Sequence, residues 1–380
     1  MLRISVFLVG LGIVLMVVSG VNWWNPVQLV SNSMIATGIL LFLLHIREAG
    51  REVNTGNKVV FFLLLFVVAS SIIGAIGSGI SEIGVNSFYV LYMGFMFLLF
   101  LFVRHIGWRA FILVIPFSLM QSGVCIYEGF YGEHIFAYAG DRACGLTTNP
   151  NIVASFLTVS IFFYRGKWKL LLPIPLLAIY FTGYWVAWFA IVVVGLFVIY
   201  EKVKEARKEH RLLQRRNFLL FAVTSLCIIL ALVFGVSPSS LYGSGARADV
   251  SEKIHNGFGS RYEIYCEASS DIGFLGNGVQ RVGMFSNSVS DYSSLRLGTV
   301  IHNTPIAISY EFGILAGVAW VLLVSYMMVR ASGRARYALV AFVCLSMAGI
   351  SEWGINGMVP IHFALIGLVS YDIDSAKEIL

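Results

Sequence analysis

The chain has 380 residues, 58% of them hydrophobic and 12% charged, with a formal net charge of +6. Soluble domains carry about 25% charged residues, so this apolar excess needs lipid as its solvent and excludes an ordinary soluble enzyme. The positive balance does not indicate nucleic acid, because no zinc finger, RNA-binding signature or basic–aromatic stripe accompanies it.

Apolar runs of about 17 to 25 residues recur along the whole length and predict an all-α polytopic integral membrane protein. Spans are expected at 4–21, 27–46, 59–77, 85–103, 108–126, 150–164, 168–182, 184–200, 217–236, 304–329, 337–353 and 356–371. This is an architecture of about twelve transmembrane helices. The first run, behind Arg3, has the apolar core of a signal peptide. It lacks a small-x-small cleavage site and runs into Asn22-Trp23-Trp24, an interfacial aromatic anchor, so it is read as a span. The apolar stretch Leu170 to Tyr200 is read as a hairpin bent at Thr182-Gly183. Arg165, Lys167 and Lys169 before it and the basic run Lys202 to Arg216 after it both favour the cytoplasm, so the chain must cross an even number of times. The same reasoning divides 337–371 between Glu352 and Pro360.

With the N-terminus inside, only Arg142, Arg247, Lys253, Arg261, Arg281 and Arg296 of the 26 Lys and Arg residues fall in outer segments. The chain then divides into spans 1 to 9 (1–236), an outer loop or lid (237–303), spans 10 to 12 (304–371) and a cytoplasmic tail (372–380). The charge bias of the multi-pass topology puts the polar chemistry on the outer side of the membrane. Cys144 and Cys266 both lie in outer segments, where either a disulfide between them or two separate thiols is open. Neither has metal-ligand spacing, and no metal or cofactor is expected.

Two outer segments carry the polar residues. The first, Tyr127 to Asn149, contains Glu128, Glu133, His134, Asp141 and Arg142 and leads into Asn149-Pro150-Asn151. Asn149 is a good N-cap and Pro150 suits the first helical position, so the sixth span starts there. Its outward-facing amides suit a phosphate, and Arg142 adds a planar cationic fork; a capped helix beside a solvated arginine is the plainer alternative. The second segment is the long loop, in which 260–270 has helical character and Gly273-Phe274-Leu275-Gly276-Asn277-Gly278 makes a turn. It supplies Arg261, Arg281 and Arg296, each of which taken singly also fits a surface ion pair.

His302 follows, where the loop enters the tenth span. Asn303 or Thr304 can cap that helix and Pro305 fits its first turn. The positive end of the helix disfavours imidazolium, which suits a general base. Glu311 lies within an otherwise apolar stretch, where a carboxylate is either functional or paired with a neighbouring helix. Gly313 and Gly317 have the spacing that lets another helix approach closely.

Three stretches together carry a family resemblance. They are Arg142-x-x-Gly145-x-x-x-Asn149-Pro150-Asn151, the Gly259-Ser260-Arg261 helix with its Gly276-Asn277-Gly278 turn, and His302-Asn303 followed after nine residues by Gly313. In this order the chain resembles the bacterial O-antigen ligase and O-antigen polymerase superfamily, which includes protein O-oligosaccharyltransferases. The resemblance implies a metal-independent glycosyltransferase that takes a glycan from undecaprenyl diphosphate and joins it to an acceptor hydroxyl. It assigns the diphosphate to Arg142 and Arg261 and the acceptor hydroxyl to His302. Arg281, Arg296, Asn149, Asn151, Asn303 and Glu311 are the further candidate substrate-binding residues. Its implied partners are the lipid-linked donor, an acceptor glycan or lipid A core, membrane lipids and a chain-length regulator.

The chain departs from the family at Thr182-Gly183-Tyr184-Trp185, where many relatives have a Ser-Arg-Gly-like element, and at Ala316. Polymerase is preferred to ligase on the frequency of polysaccharide gene clusters alone. The rival from another class is a transporter or flippase of the same lipid-linked substrate. That reading expects ionisable residues deep in several spans and two related halves, whereas the polar residues here gather on one side.

Overall fold

Apolar stretches with no water to satisfy their peptide groups close their hydrogen bonds internally, and helix dominates the computed structural model of the chain. The structure describes residues 1–19, 26–48, 57–77, 83–135, 142–147, 149–207, 268–269, 272–274, 276, 303–331, 333–348 and 359–377. Among these residues there is no strand. The helices run in chain order as α1 (Leu2–Ser19), α2 (Pro26–Glu48), α3 (Lys58–Gly77), α4 (Ile83–Ile106), α5 (Val114–Tyr131) and α6 (Pro150–Ser160). They continue as α7 (Pro173–Thr182), α8 (Trp185–Arg207), α9 (Thr304–Phe312), α10 (Ile314–Arg330), α11 (Gly333–Ala348) and α12 (Val359–Lys377). Short 3-10 segments, Gly107–Phe111 and Gly166–Leu171, precede α5 and α7. The expected span 217–236 lies outside the described residues.

Three helical segments among the described residues are long and apolar enough to cross a membrane: Leu29–Glu48, Leu91–Phe111 and Trp185–Val203. Shorter apolar helices cover Leu2–Val18, Lys58–Ile73, Pro150–Phe163 and Ile314–Arg330. Inward-facing residues of these helices form one continuous core, while Leu40, Phe62, Leu91 and Val329 are each more than half exposed. Large apolar side chains spread over the outside are what lipid contact requires, and water would penalise them.

The expected bend between the seventh and eighth spans is present. Thr182 ends α7, and Gly183 takes a left-handed conformation at φ 60° as its C-cap. Over 333–377 the described residues form α11 and α12, and the expected division from Glu352 falls on residues up to 358 that lie outside the described set.

The expected span 304–329 is not one helix. Gly313, at φ 91° and ψ 160°, interrupts it between α9 and α10. In a continuous helix Pro305 and Gly317 would stand about 18 Å apart. Here the Pro305 carbonyl oxygen lies 3.3 Å from where a Cβ on Gly317 would sit, and the Ser309 hydroxyl abuts the same point. The nine-residue α9 therefore folds back against α10, and the longer apolar helix begins at Ile314, not at Thr304. The missing Cβ of Gly317 is what admits α9, so its close approach is to the adjoining helix.

At one end of the bundle, charged and polar side chains tie four helices together. Arg104 on α4 is paired with Asp374 on α12 at 2.7 Å, and its Nε donates to the Ser370 hydroxyl at 3.1 Å. Asp374 also accepts the Asn57 amide at the head of α3, and the Asn57 side chain donates to the Tyr326 hydroxyl on α10. Beside this network Trp108 donates to Asp372 at 3.0 Å. The start of α3 and the ends of α4, α10 and α12 thus meet, as helices of alternating direction require. Glu201 on α8 joins Arg336 and Tyr337 on α11.

Candidate functional site

The opposite ends of α5, α6 and α7 meet around the loop from Gly132 to Asn149. Glu128, in the last turn of α5, is buried there and fastens the loop to the helix. One carboxylate oxygen accepts the backbone N–H of Cys144 at 2.8 Å and of Gly145 at 2.7 Å; the other accepts the Ile135 N–H at 3.2 Å. Gln121, one face further down α5, accepts the Leu146 N–H at 2.8 Å. Buried amides need acceptors, and in this stretch side chains supply them in place of secondary structure. Gly145 sits at φ 60°, where a Cβ would come within 2.5 Å of the Gln121 amide oxygen and 2.9 Å of the Cys125 sulfur. Only glycine lets the chain wrap so tightly over α5.

Arg142 lies on the other side of this loop, half-buried. Its Nε donates to the Thr182 carbonyl at 2.6 Å and its Nη2 to the Asn151 side-chain oxygen at 2.8 Å. The neighbouring Ala143 N–H donates to the Phe181 carbonyl. Both carbonyls belong to the last turn of α7, which has no partners within its own helix and carries partial negative charge, so a cation is well placed there. A Cβ on Gly183 would stand 3.4 Å from the Arg142 Nε, so the α7–α8 turn is packed directly on the guanidinium.

Asn149 caps α6 as expected: its backbone is extended and its side chain accepts the Asn151 N–H at 2.8 Å, with Pro150 at the first turn. Asn151 orients Arg142 as well, so Arg142, Asn149 and Asn151 form one hydrogen-bonded group at the start of α6. Asn303 caps α9 by accepting the Ile306 N–H at 3.1 Å. Glu311 is buried on α9, not within a long span. Its residue is also where the long loop returns. The Ile314 N–H donates to the Gly273 carbonyl at 3.2 Å, and a Cβ on Gly313 would lie 3.0 Å from the Gly276 nitrogen. Ala268 packs beside Ala307 and Tyr310. The helix break at Gly313 and the Gly276 turn, 37 residues earlier, are therefore in backbone contact. His302, Arg261, Arg281 and Arg296 lie outside the described residues.

Cys144 is a buried free thiol, and Cys266 lies outside the described residues. Burial and the Glu128 carboxylate push the thiol up to about 12. Its sulfur lies 3.7 Å from the His134 Nδ1, and the same nitrogen lies 3.7 Å from a Glu128 carboxylate oxygen. The sequence shows these three residues in one outer segment, but at offsets of six and ten that match no ligand signature. Folding of the loop over α5 brings them together. His362, buried in the bundle, accepts a hydrogen bond from Trp320 and packs on Phe342.

Comparison of the chain with family models, with curated proteins and with solved structures gave no match. The functional reading therefore rests on the residues themselves.

Proposed function

We propose that this protein is a multi-pass glycosyltransferase of the bacterial inner membrane, acting at its periplasmic face in surface polysaccharide synthesis. It moves a glycan from undecaprenyl diphosphate to an acceptor sugar hydroxyl. Polymerisation onto another lipid-linked glycan is the preferred reaction, and ligation to lipid A core differs only in the acceptor. The observation that carries the proposal is the placement of Arg142. Its guanidinium is fixed by the Thr182 carbonyl and Asn151 beside the capped start of α6. A preset cation next to helix amides stabilises a departing diphosphate without reorganising as charge develops. Arg142 also lies against Gly183, the turn where many members of the resembled superfamily carry an arginine of their own.

In the proposed reaction the acceptor oxygen attacks the anomeric carbon as the bond to diphosphate breaks. His302, the residue before the α9 cap Asn303, takes the hydroxyl proton, and Arg142 and Arg261 hold the leaving diphosphate. About twelve spans alternate across the bilayer, with the segment 237–303 lying over the outer face.

The test is transfer from purified lipid-linked donor by protein in membranes, at matched protein level. His302→Ala is expected to abolish product. Arg142→Lys keeps the charge but loses the planar fork, and should raise the KM for donor at least tenfold while leaving the acceptor KM unchanged. Normal product from His302→Ala would remove the catalytic assignment, and unchanged donor KM in Arg142→Lys would move the diphosphate site elsewhere.

A further inference from the structure

We propose that Glu128, His134 and Cys144 form a binding site for a divalent transition metal of the zinc class, at the base of the loop that presents Arg142. The inference is independent of the glycan-transfer reading.

The ligand atoms all lie within 4.8 Å of one another, one from each residue. His134 Nδ1 is 3.7 Å from the Cys144 sulfur and 3.7 Å from the Glu128 oxygen. The second distance is too long for a direct N–H···O hydrogen bond. Both are close to the edges of a tetrahedron around zinc, which metal–ligand distances put at about 3.3–3.6 Å. The sulfur and the carboxylate oxygen lie within 4.8 Å of each other, so that edge closes by at most about 1.2 Å when the three side chains share one ion.

The donor chemistry selects among metals. A thiolate and an imidazole disfavour magnesium and calcium, which take oxygen ligands, while one sulfur is too few for copper(I). One nitrogen, one sulfur and one oxygen leave a tetrahedral zinc with a fourth position for water. The His134 side chain is 15% exposed and provides access from solvent, whereas Glu128 is fully enclosed.

The surroundings orient the ligands as an outer shell does. The Glu128 oxygen that binds Cys144 and Gly145 amides is already committed, while the oxygen facing His134 accepts one N–H from Ile135. A carboxylate has about four acceptor positions, so three N–H bonds leave one for a cation. Binding replaces the Cys144 proton, which leaves to solvent, and gives a site of two anionic ligands, a neutral imidazole and a dication. Its net charge is zero, which is what a mostly enclosed position favours. The consequence for the molecule is a clamp between α5 and the loop, two residues from Arg142.

The experiment uses the full-length protein, purified in detergent without a histidine tag and stripped with chelator. Zn²⁺ is titrated against a chromophoric competitor, and Co²⁺ is added separately for absorption spectroscopy. One Zn²⁺ per chain and a thiolate-to-Co²⁺ charge-transfer band are expected. Cys144→Ser should abolish the band, and both Cys144→Ser and His134→Ala should weaken Zn²⁺ binding at least tenfold. Zn²⁺ should also protect Cys144 from alkylation, read by mass spectrometry. Because Glu128 holds three backbone amides, the two other ligands are the ones substituted, and an unchanged melting curve of the stripped variants shows that they are folded. Wild-type binding no tighter than that of the folded Cys144→Ser, His134→Ala double variant overturns the site, as does a Co²⁺ spectrum without the thiolate band.

Discussion

The two ends of the bundle solve the same problem, buried polar groups, in opposite ways. At the Arg104 end, side chains pair chiefly with side chains across four helices, with one backbone amide, that of Asn57, also held by Asp374. At the Glu128 end, side chains instead hold backbone: Glu128 and Gln121 accept amides of an irregular loop, and Arg142 donates to a helix-terminal carbonyl. The first arrangement fixes how helices pack. The second fixes the path of a loop, and in doing so leaves a guanidinium and an imidazole at defined places within reach of solvent, with a thiol enclosed behind them. Chemistry collects where polar side chains are spent on positioning a loop, because such a loop can present groups that a helix packed on lipid cannot.

Breaking each end should separate packing from function. Arg104→Ala leaves the partly buried Asp374 carboxylate without its guanidinium; loss of one partner of a buried pair costs about 3–5 kcal/mol, and the lower end applies to a carboxylate that keeps some solvent. The expected outcome is a large fall in the detergent melting temperature. At matched folded protein, glycan transfer should persist. A selective loss of transfer with unchanged stability would contradict the division between the two ends.

Glu128→Gln should cost less, because an amide retains one acceptor oxygen. It sets an NH₂ group against one or two of the three backbone amides, at about 1–3 kcal/mol for each donor left unsatisfied. Limited proteolysis between α5 and α6 should accelerate, with α3, α4, α10 and α12 still protected. Global unfolding at the rate of Arg104→Ala would show that the loop is part of the main packing unit.

The smallest effect is expected at Asp372, just past the predicted end of the last span. Burial raises this carboxyl to about 6, with the Trp108 hydrogen bond working against the shift. A folded value raised above 3.8 means that its stabilising contribution is present below about pH 3.8 and is lost as the pH rises through about 6. Asp372→Asn removes that loss, so the variant should gain melting temperature relative to the parent between about pH 4 and 6 and hold the gain above. The group is partly solvated, which keeps the change modest. A gain that is independent of pH would place the effect in packing and not in ionisation.

Much of the helical layout was legible in the sequence for definite reasons. Backbone in lipid has to be helical, so apolar run length located α1 to α8, and charge bias required the turn at Gly183. Local chemistry located the cap at Asn149 and narrowed the other to Asn303 or Thr304, of which Asn303 is the cap, because an N-cap is decided by residues within one turn. The same rules failed at 304–329. Hydropathy there is continuous, and nothing local announces that Gly313 turns the chain back, because the break is stabilised by contact with Gly273 and Gly276 from a distant part of the chain. Candidate site residues were legible as types, not as neighbours: Arg142 and Asn151 are nine positions apart, and Thr182 is forty from Arg142.

What the sequence by itself determined is the class of solvent around the protein, the helical nature of its elements and the capped starts of α6 and α9. These follow from composition, run length and capping, all of which act over a few residues. Tertiary structure alone decided that α9 folds back on α10, that Arg142 is held by the α7 carboxyl end, and that Glu128, His134 and Cys144 converge. Each of those depends on side chains reaching a partner in another helix or loop, and spacing along the chain carries no information about that distance.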